Sequence, residues 1–337
     1  MNGALHGGED GGAPVAHDFS SNASPLGPPP TLWRAVQQAD RRHYPDPAYR
    51  ALRNHLAAAH DCSTTQVLPA SGGTEAIRRL TLAARLEGCA EVWVPAPGFG
   101  DYALAAQALD LPVHGYARVQ DICPTGAALV WACDPCNPTG ALLQAADWAT
   151  LAALPDTRLV VDQAYAPLCL DGTPLTPPAS AWRLVCPNKA LGLTGVRAAY
   201  LLAPEQDLAL CERLLRLAPS WVLSAEGQAL LTHWPGADTA TWLADARAQL
   251  RAWGQAQQAL LQALGWACRP SSTNFCLAQP PAGATANPAA ALRRHGVRVR
   301  DAASFGLAGW LRLSIQPPAS QQALAGAWQA VQGHSPS

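Results

Sequence analysis

Short apolar runs alternate with helical segments through the first two thirds of the chain. Five such runs are interpreted as strands, at residues 91–94, 128–132, 159–161, 182–185 and 197–202. Most of these runs are apolar on both faces, which is typical of strands that are buried on both sides. Buried strands that alternate with helices predict an α/β fold, with a mainly parallel central sheet and helices on both faces.

The two ends of the chain differ from this middle region. Residues 12–31 are rich in Pro, Gly and Ser and predict an extended arm, followed by helices at 31–41, capped by Thr31, and at 49–60. The C-terminal part predicts a helix at 237–264, strands at 274–278, 297–300 and 310–315, and a last helix at 320–332. We therefore expect three parts: an N-terminal arm (1–30), a large domain (31–232) and a small α+β domain (233–337). The arm is expected to pack on the small domain.

Composition excludes several classes of protein. The chain has 337 residues, of which 49% are hydrophobic, and this size favours two domains. A formal net charge of -1 offers no general attraction to nucleic acid or to an anionic membrane. No apolar run reaches the roughly 18–20 residues of a membrane-spanning helix, and the N-terminus lacks the pattern of a secretory signal. We expect a cytoplasmic enzyme without a nucleic-acid or membrane partner.

The cysteines do not indicate a metal site. There are ten of them, and their spacing matches no disulfide scaffold. Cys133 and Cys136 form a C-x-x-C pair, but the sequence has no second pair or histidines at ligand spacing. We expect reduced thiols and no bound metal.

Lysine occurs once in the chain, at position 189, whereas arginine is common. Arginine cannot replace lysine where a nucleophilic amine must lose its proton, because the pKa of a guanidinium is too high. Lys189 follows the strand at 182–185, a position from which its amine could attach to an aldehyde. The alternative interpretation is a surface lysine that survived by chance.

Residues at the ends of the other strands suit an aldehyde cofactor with a ring nitrogen and a phosphate. Ligands of open parallel sheets bind beyond the carboxyl ends of the strands. Asp162 closes an apolar strand, where it could pair with a protonated pyridine nitrogen, and Tyr165 could bond the phenolic oxygen of the ring. Gly73 and Thr74 open a helix, whose first backbone N–H groups could attract a phosphate. Arg197 could clamp the same phosphate.

Two loops add candidates for the same site. Phe99 follows the strand at 91–94 and could stack on a cofactor ring, and Asn137 begins the loop NPTG after the strand at 128–132. Each candidate also has a simpler interpretation, such as a helix cap for Asp162, a core aromatic for Phe99 or a surface charge for Arg197. The order and spacing of the whole set favour the cofactor.

The sequence resembles the fold-type-I enzymes of aminotransferase class I/II, which depend on pyridoxal 5'-phosphate (PLP). It is most similar to the branch that holds histidinol-phosphate aminotransferase and threonine-phosphate decarboxylase. The resemblance runs from residue 6 to residue 332 and is most specific at 71–77 (SGGTEAI), 137–140 (NPTG), 161–165 (VDQAY) and 188–200 (NKALGLTGVRAAY). It implies PLP as the cofactor and the fold-type-I architecture.

The resemblance also implies a role for each matched residue in cofactor binding. Lys189 would carry PLP and move the substrate's α-proton, Asp162 would pair with the pyridine nitrogen, and Tyr165 would bond O3'. The other matched residues are Asn137 at O3', Gly73, Thr74 and Arg197 at the phosphate, and Phe99 at the ring face.

Further matches concern the substrate and a second subunit. Arg312 would bind the substrate α-carboxylate, Arg300 would bind a substrate phosphate, and Asn22 lies in a segment that would cover the site. Tyr44 matches a tyrosine that reaches the cofactor phosphate of the neighbouring subunit, which implies a homodimer. The sequence departs from the family pattern at Ser24, Cys136, Gln163, Cys186 and Asn188.

Three functions remain open at this point. The first is transamination between an amino acid and a keto acid or a phosphorylated carbonyl compound, as in amino acid biosynthesis. The second is decarboxylation of threonine phosphate in cobalamin biosynthesis, which the short motif HGG at 6–8 favours. The third is a non-catalytic PLP-binding module, but such a module should have lost Lys189 or Asp162, and both are present.

Overall fold

The computed structural model of the chain describes residues 7–283 and 285–333. His6, the first residue of the HGG motif, lies outside this part. The strands are β1 (His17–Asp18), β2 (Val67–Ala70), β3 (Glu91–Pro95), β4 (Val113–Tyr116), β5 (Ala128–Cys133), β6 (Thr157–Asp162), β7 (Trp182–Val185), β8 (Ala199–Leu202), β9 (Ala267–Cys268), β10 (Phe275–Gln279), β11 (Val297–Arg298), β12 (Arg300–Asp301) and β13 (Leu311–Ser314). The helices are α1 (Pro30–Gln37), α2 (Arg50–Ala59), α3 (Gly73–Leu86), α4 (Gly100–Gln107), α5 (Ala145–Ala152), α6 (Leu208–Leu217), α7 (Ala225–His233), α8 (Ala237–Ala263), α9 (Pro288–Arg294) and α10 (Pro318–Gly333).

The central sheet has seven strands in the order β2-β8-β7-β6-β5-β3-β4. The pairs from β7 to β4 are parallel, whereas β8 runs antiparallel to both β7 and β2. Every residue of β5 is buried, because helices cover both faces of the sheet. The predicted α/β fold with a mainly parallel central sheet is therefore confirmed.

Two strands of this sheet were not predicted from the sequence. Strand β2 contains Pro69, which argues against a strand, and β4 is short and contains His114 and Gly115. Strand β8 begins at Ala199, two residues later than predicted, which leaves Arg197 in the preceding loop. That position keeps the Arg197 side chain at the edge of the sheet.

The predicted strand at 297–300 was wrong, since it is two strands in two sheets. β11 pairs in parallel with β1 of the N-terminal arm, whereas β12 pairs with β13. The second sheet is antiparallel, in the order β12-β13-β10-β9, and it places Arg300 directly opposite Arg312. The division of the chain at residues 30/31 and 232/233 stays a prediction.

The helices differ from the prediction mainly at their ends. α1 ends at Gln37 instead of 41, and Pro30 occupies its first turn without a side-chain cap from Thr31. α2 begins at Arg50 because Tyr49 has a φ of 48° and is not helical. The long helix α8 and the last helix α10 confirm the two C-terminal helices. Within residues 7–283 and 285–333, no helix combines the length and the apolar character that crossing a membrane requires.

Candidate active site

A cavity of about 560 Å³ lies beyond the carboxyl ends of β5, β6 and β7. It shares Thr74, Phe99, Asn137, Tyr165, Lys189 and Arg197 with a smaller pocket of about 90 Å³ next to the sheet. Gly73 and Asp162 line the smaller pocket, and Asn22, Arg300 and Arg312 line the larger one. The structure thus brings together every predicted site residue except Tyr44.

Lys189 lies in the loop between β7 and β8, and its side chain is half-buried. Its Nζ is 5.6 Å from the centre of the Tyr165 ring. The backbone N–H of Ser24 donates a hydrogen bond to the Lys189 carbonyl across 2.8 Å. The N-terminal arm therefore packs directly on the loop that carries the only lysine.

Asp162 is the last residue of β6 and is 6% exposed. Its Oδ2 accepts a hydrogen bond from the Tyr102 hydroxyl at 2.6 Å, and its Oδ1 accepts one from the Ala164 N–H at 2.9 Å. Burial raises the pKa of the Asp162 carboxyl, while the two hydrogen bonds and the charge of Lys189 act to lower it. A cation bound in the pocket would further favour the ionised carboxylate.

The start of α3 forms a cradle for an anion. Gly72 caps the helix with a φ of 100°, and a Cβ at this position would lie 2.5 Å from Arg197 Nη2. A Cβ at Gly73 would lie 2.9 Å from the sulfur of Cys186. The positive φ of Gly72 and its lack of a side chain let the guanidinium of Arg197 lie against the N-terminus of α3.

The hydroxyl of Thr74 is engaged elsewhere. It donates a hydrogen bond to Asp101 Oδ2 across 2.7 Å. The backbone N–H of Thr74, in the first turn of α3, is the group that this residue can offer to a phosphate. Arg197 Nη1 donates to the carbonyl of Thr194 at 2.9 Å, which orients the guanidinium.

Two arginines make the outer part of the cavity strongly cationic. Arg312 Nη1 donates to Asn137 Oδ1 at 2.5 Å, and Nη2 donates to the Ser20 carbonyl at 2.9 Å. The guanidinium of Arg300 lies 5.0 Å and that of Arg312 5.7 Å from the centre of the Phe305 ring. Burial lowers the pKa of Arg312 to about 10 and also lowers the pKa of Arg300, and both side chains remain charged at neutral pH.

Asn22 joins the N-terminal arm to the site. Its Nδ2 donates to the Tyr165 hydroxyl across 3.2 Å, and its backbone carbonyl accepts from Asn274 Nδ2 at 3.0 Å. Its Oδ1 is buried without a hydrogen-bond partner in the described part of the chain. An acceptor is therefore available for a donor group of a bound molecule.

Tyr44 does not line the cavity of its own chain. Its side chain is 77% exposed and stacks on Trp221, with ring centres 4.2 Å apart. The indole N–H of Trp221 donates to the carbonyl of Pro45. The tyrosine is thus held at the surface, where it could contact another molecule.

Several residues of the site were not predicted from the sequence. Ser304 and Phe305 were missed because they lie in a single 3-10 turn. They follow Arg300 by only four and five residues and line the same cavity. Tyr102 was also missed, although it follows Phe99 by three residues in the first turn of α4. The C-x-x-C cysteines are free, and no group of metal-ligating side chains occurs in residues 7–283 and 285–333.

The residues present fit PLP, the cofactor that the sequence analysis predicted. The absence of a side chain at Gly72 lets Arg197 lie against the N-terminus of α3, where backbone N–H groups and a guanidinium suit a phosphate. Asp162 offers a buried carboxylate in the same pocket, which Phe99 and Lys189 also line. The pocket therefore supplies an anion cradle, an aromatic face, an amine and a carboxylate together.

Comparison with known proteins identifies the same family that the sequence resembles. The sequence profile of the family described as "Aminotransferase class I and II" matches residues 16–331. The histidinol-phosphate aminotransferase of Symbiobacterium thermophilum is 30% identical over 350 residues, covering 94% of this chain and 91% of that protein.

Two solved structures share the fold. L-threonine-O-3-phosphate decarboxylase from Porphyromonas gingivalis has a TM-score of 0.79 at 23% identity and covers 93% of this chain and 98% of that chain. Histidinol-phosphate aminotransferase from Sinorhizobium meliloti, solved in complex with pyridoxal-5'-phosphate, has a TM-score of 0.77 at 23% identity, with 95% and 92% covered. These likenesses confirm the predicted fold-type-I architecture.

Proposed function

This chain belongs to the class I and II aminotransferases, and we propose that it is a PLP-dependent transaminase for a substrate that carries both a carboxylate and a phosphate. The observation that carries the substrate class is the pair Arg300 and Arg312, which face the same cavity as Lys189 from neighbouring strands. Two fixed guanidinium groups suit two anionic groups on one molecule. The histidinol-phosphate aminotransferase relative supports this choice.

The residues of the inner pocket would hold the cofactor and move protons. Bound PLP supplies an electron sink for the bond that breaks at the substrate's α-carbon. Asp162 would hold the ring nitrogen, Tyr165 and Asn137 would face the O3' side, and Phe99 would cover the ring. Lys189 would take the α-proton and return it, because its amine is the basic nitrogen that lines the pocket.

The outer residues would orient the substrate. Arg312 would bind the α-carboxylate in bidentate fashion, and Arg300 would bind the distal phosphate. Gly73, Thr74 and Arg197 would bind the phosphate of the cofactor. Asn22 would close the cavity, since it already contacts Tyr165 from the N-terminal arm.

The single lysine allows a sharp test of the cofactor site. Borohydride reduction of the protein with bound PLP should fix one pyridoxyl group, detected by mass spectrometry on the peptide that contains Lys189. The Lys189→Ala variant should gain no mass and lose the visible absorption of the bound cofactor. A label that persists in this variant would show that the lysine does not carry PLP.

The reaction is tested by a paired assay. The protein is given glutamate with imidazole-acetol phosphate and, separately, threonine phosphate. We expect 2-oxoglutarate to form in the first mixture. Carbon dioxide release in the second mixture, without amino transfer in the first, would contradict transamination.

Decarboxylation of a phosphorylated amino acid is the second candidate, and one observation favours it. Gly7, from the HGG motif, lines the large cavity, and the N–H of Gly8 donates to the Ser20 hydroxyl at 2.8 Å. The Gly8 carbonyl also accepts a hydrogen bond from Arg298. Gly7 of the motif that resembles the decarboxylases is therefore part of the wall of the site, and the paired assay distinguishes the two reactions.

A homodimer with shared sites is the proposed assembly, and a cytoplasmic location is proposed with it. The exposed, stacked position of Tyr44 supports a contact with the cofactor phosphate of a second subunit. The ten free cysteines support a reducing compartment. Mixing inactive Lys189→Ala and Tyr44→Ala variants should restore activity, because a mixed dimer would contain one site with both residues intact. No recovery after refolding the mixture would contradict shared sites.

A further inference from the structure

Tyr102 has no role in the function proposed above, yet it contacts the residue on which that function depends. It lies in the first turn of α4 and is fully buried. We propose that Tyr102 is a positioning residue for the cofactor, which holds Asp162 in the ionised form and in a fixed orientation toward the ring nitrogen. The inference rests on the proposed role of Asp162.

The hydrogen bonds of Asp162 fix the plane of its carboxylate. Oδ1 accepts from the N–H of Ala164, in the loop that follows its own strand, and Oδ2 accepts from Tyr102 on a separate helix. At 2.6 Å the second bond has the short length of a hydroxyl that donates to a carboxylate. Two donors from different elements leave the carboxylate little freedom to rotate, and a ligand group held by such outer contacts is more precisely placed.

The Tyr102 hydroxyl can act only as a donor to Asp162 at neutral pH. Burial and the neighbouring carboxylate raise the pKa of Tyr102 well above its ordinary value, so the proton stays on the phenol. The donated bond in turn lowers the pKa of Asp162 against the effect of burial. Without it, Asp162 would take up a proton more readily, and a neutral carboxyl cannot pair with a cationic ring nitrogen.

Packing links the same side chain to the aromatic face of the pocket. The Tyr102 ring stacks on Trp131, with centres 4.7 Å apart and planes at 12°. It also meets Phe99 edge to face at 5.6 Å. Trp131 lies on β5, the strand next to the one that ends at Asp162. Tyr102 therefore contacts both Phe99, which would cover the cofactor ring, and Asp162, which would bond it.

The test removes only the hydroxyl. Tyr102→Phe keeps the ring and its packing, and the dissociation constant for PLP is measured by quenching of tryptophan fluorescence from pH 5.5 to 8.5, without any turnover. We expect the dissociation constant to rise on the order of tenfold at neutral pH, which is the usual effect of losing a hydrogen bond to a charged group. The dissociation constant of the variant, divided by that of the wild type, should grow as the pH falls, because Asp162 becomes protonated at a higher pH in the variant.

Tyr116→Phe is the matched control. Tyr116 is also buried, and its hydroxyl donates to the carbonyl of Trp131 at 2.7 Å instead of to Asp162. The control should lose some thermal stability but bind PLP as the wild type does at every pH. An equal loss of affinity in both variants would overturn the proposal, since it would indicate a purely structural effect.

Two further measurements test whether Tyr102 acts through Asp162, and the second also covers the case in which Tyr102→Phe does not fold. In an Asp162→Asn background, Tyr102→Phe should change PLP affinity no further. Replacement of Tyr102 alone by 3,5-difluorotyrosine keeps the shape but strengthens the donor, so PLP binding should persist to lower pH than in the wild type. Unchanged pH dependence in that protein would overturn the role of Tyr102, whereas a wild-type protein that binds no PLP would overturn the proposed function itself.

Discussion

Arg312 is bonded to Asn137 through Nη1 and Oδ1, which lie 2.5 Å apart, so the antiparallel sheet is tied to the loop that follows β5. The two residues are far apart in the sequence: Asn137 lies in a loop at the end of the central sheet, and Arg312 lies in the antiparallel sheet. Because Arg312 would bind the substrate carboxylate and Asn137 would face O3' of the cofactor, the two ligands would contact a single hydrogen-bonded unit.

Arg312→Lys should separate substrate binding from cofactor binding. Lysine keeps the charge but loses the planar fork that binds a carboxylate through two hydrogen bonds. We expect the KM for the amino-acid substrate to rise about 10- to 100-fold, with the PLP dissociation constant changed much less. Steady-state kinetics and fluorescence titration measure the two effects, and an unaltered KM would argue against carboxylate binding by Arg312.

Arg300→Gln should discriminate between phosphorylated and unphosphorylated substrates. If Arg300 binds a substrate phosphate, its loss removes a charge-assisted hydrogen bond from one substrate only. The expected change is a loss of about 10- to 100-fold in kcat/KM for the phosphorylated compound and little change for its phosphate-free analogue. Equal losses for both compounds would instead indicate that Arg300 supports Arg312.

Gly72→Ala should weaken cofactor binding through a steric effect on Arg197. The added Cβ would lie 2.5 Å from Nη2, so the guanidinium must move away from the start of α3. Gly88→Ala is the control, because Gly88 also has a positive φ of 90° but a Cβ there meets nothing within 4 Å. Both variants should lose roughly 1 kcal/mol or more of unfolding free energy from backbone strain. Only Gly72→Ala should raise the PLP dissociation constant, and equal affinities would contradict the phosphate cradle.

Asp134→Asn should stabilise the protein at neutral pH. Burial raises the pKa of Asp134 to about 6, while its Oδ1 accepts a hydrogen bond from the Leu143 N–H. The folded state therefore holds a proton that the unfolded chain releases, so the stability contributed by this group is greatest below pH 4 and is lost as pH rises through about 6.

Asparagine keeps the acceptor without the charge. The variant should gain about 1–3 kcal/mol of unfolding free energy at pH 7 and match the wild type near pH 4. Denaturant unfolding at several pH values measures the difference. A gain that does not depend on pH would contradict a charged Asp134 as the cause.

The sequence predicted the inner part of the site better than the outer part. Asp162 and Lys189 follow apolar strands, so the rule that ligands bind at the carboxyl ends of such strands was enough to bring them together. Arg300 and Arg312 lie on a different sheet, and only the resemblance to known enzymes placed them in the same cavity. Position along a chain carries little information on how two sheets meet.

The missed features have physical causes as well. A buried tyrosine such as Tyr102 cannot be told from an ordinary core aromatic, because its role depends on a hydrogen bond across 60 positions in the sequence. Residues 297–300 are predicted as one strand because valine and arginine alternate through them without interruption, whereas the break depends on pairing with the distant strand β1. Pairing between distant segments overrides local preference in such strands.

The reversed direction of β8 affects which insertions the chain can accept. Since β7 and β8 are antiparallel neighbours, the loop between them turns back at the same edge of the sheet and carries both Lys189 and Arg197. A residue added between these two would displace the amine relative to the guanidinium. Residues 171–181, which precede β7 and contain neither Lys189 nor Arg197, should accept added residues far more readily. Length variation among natural relatives is therefore expected to avoid the first loop and to accumulate in the second.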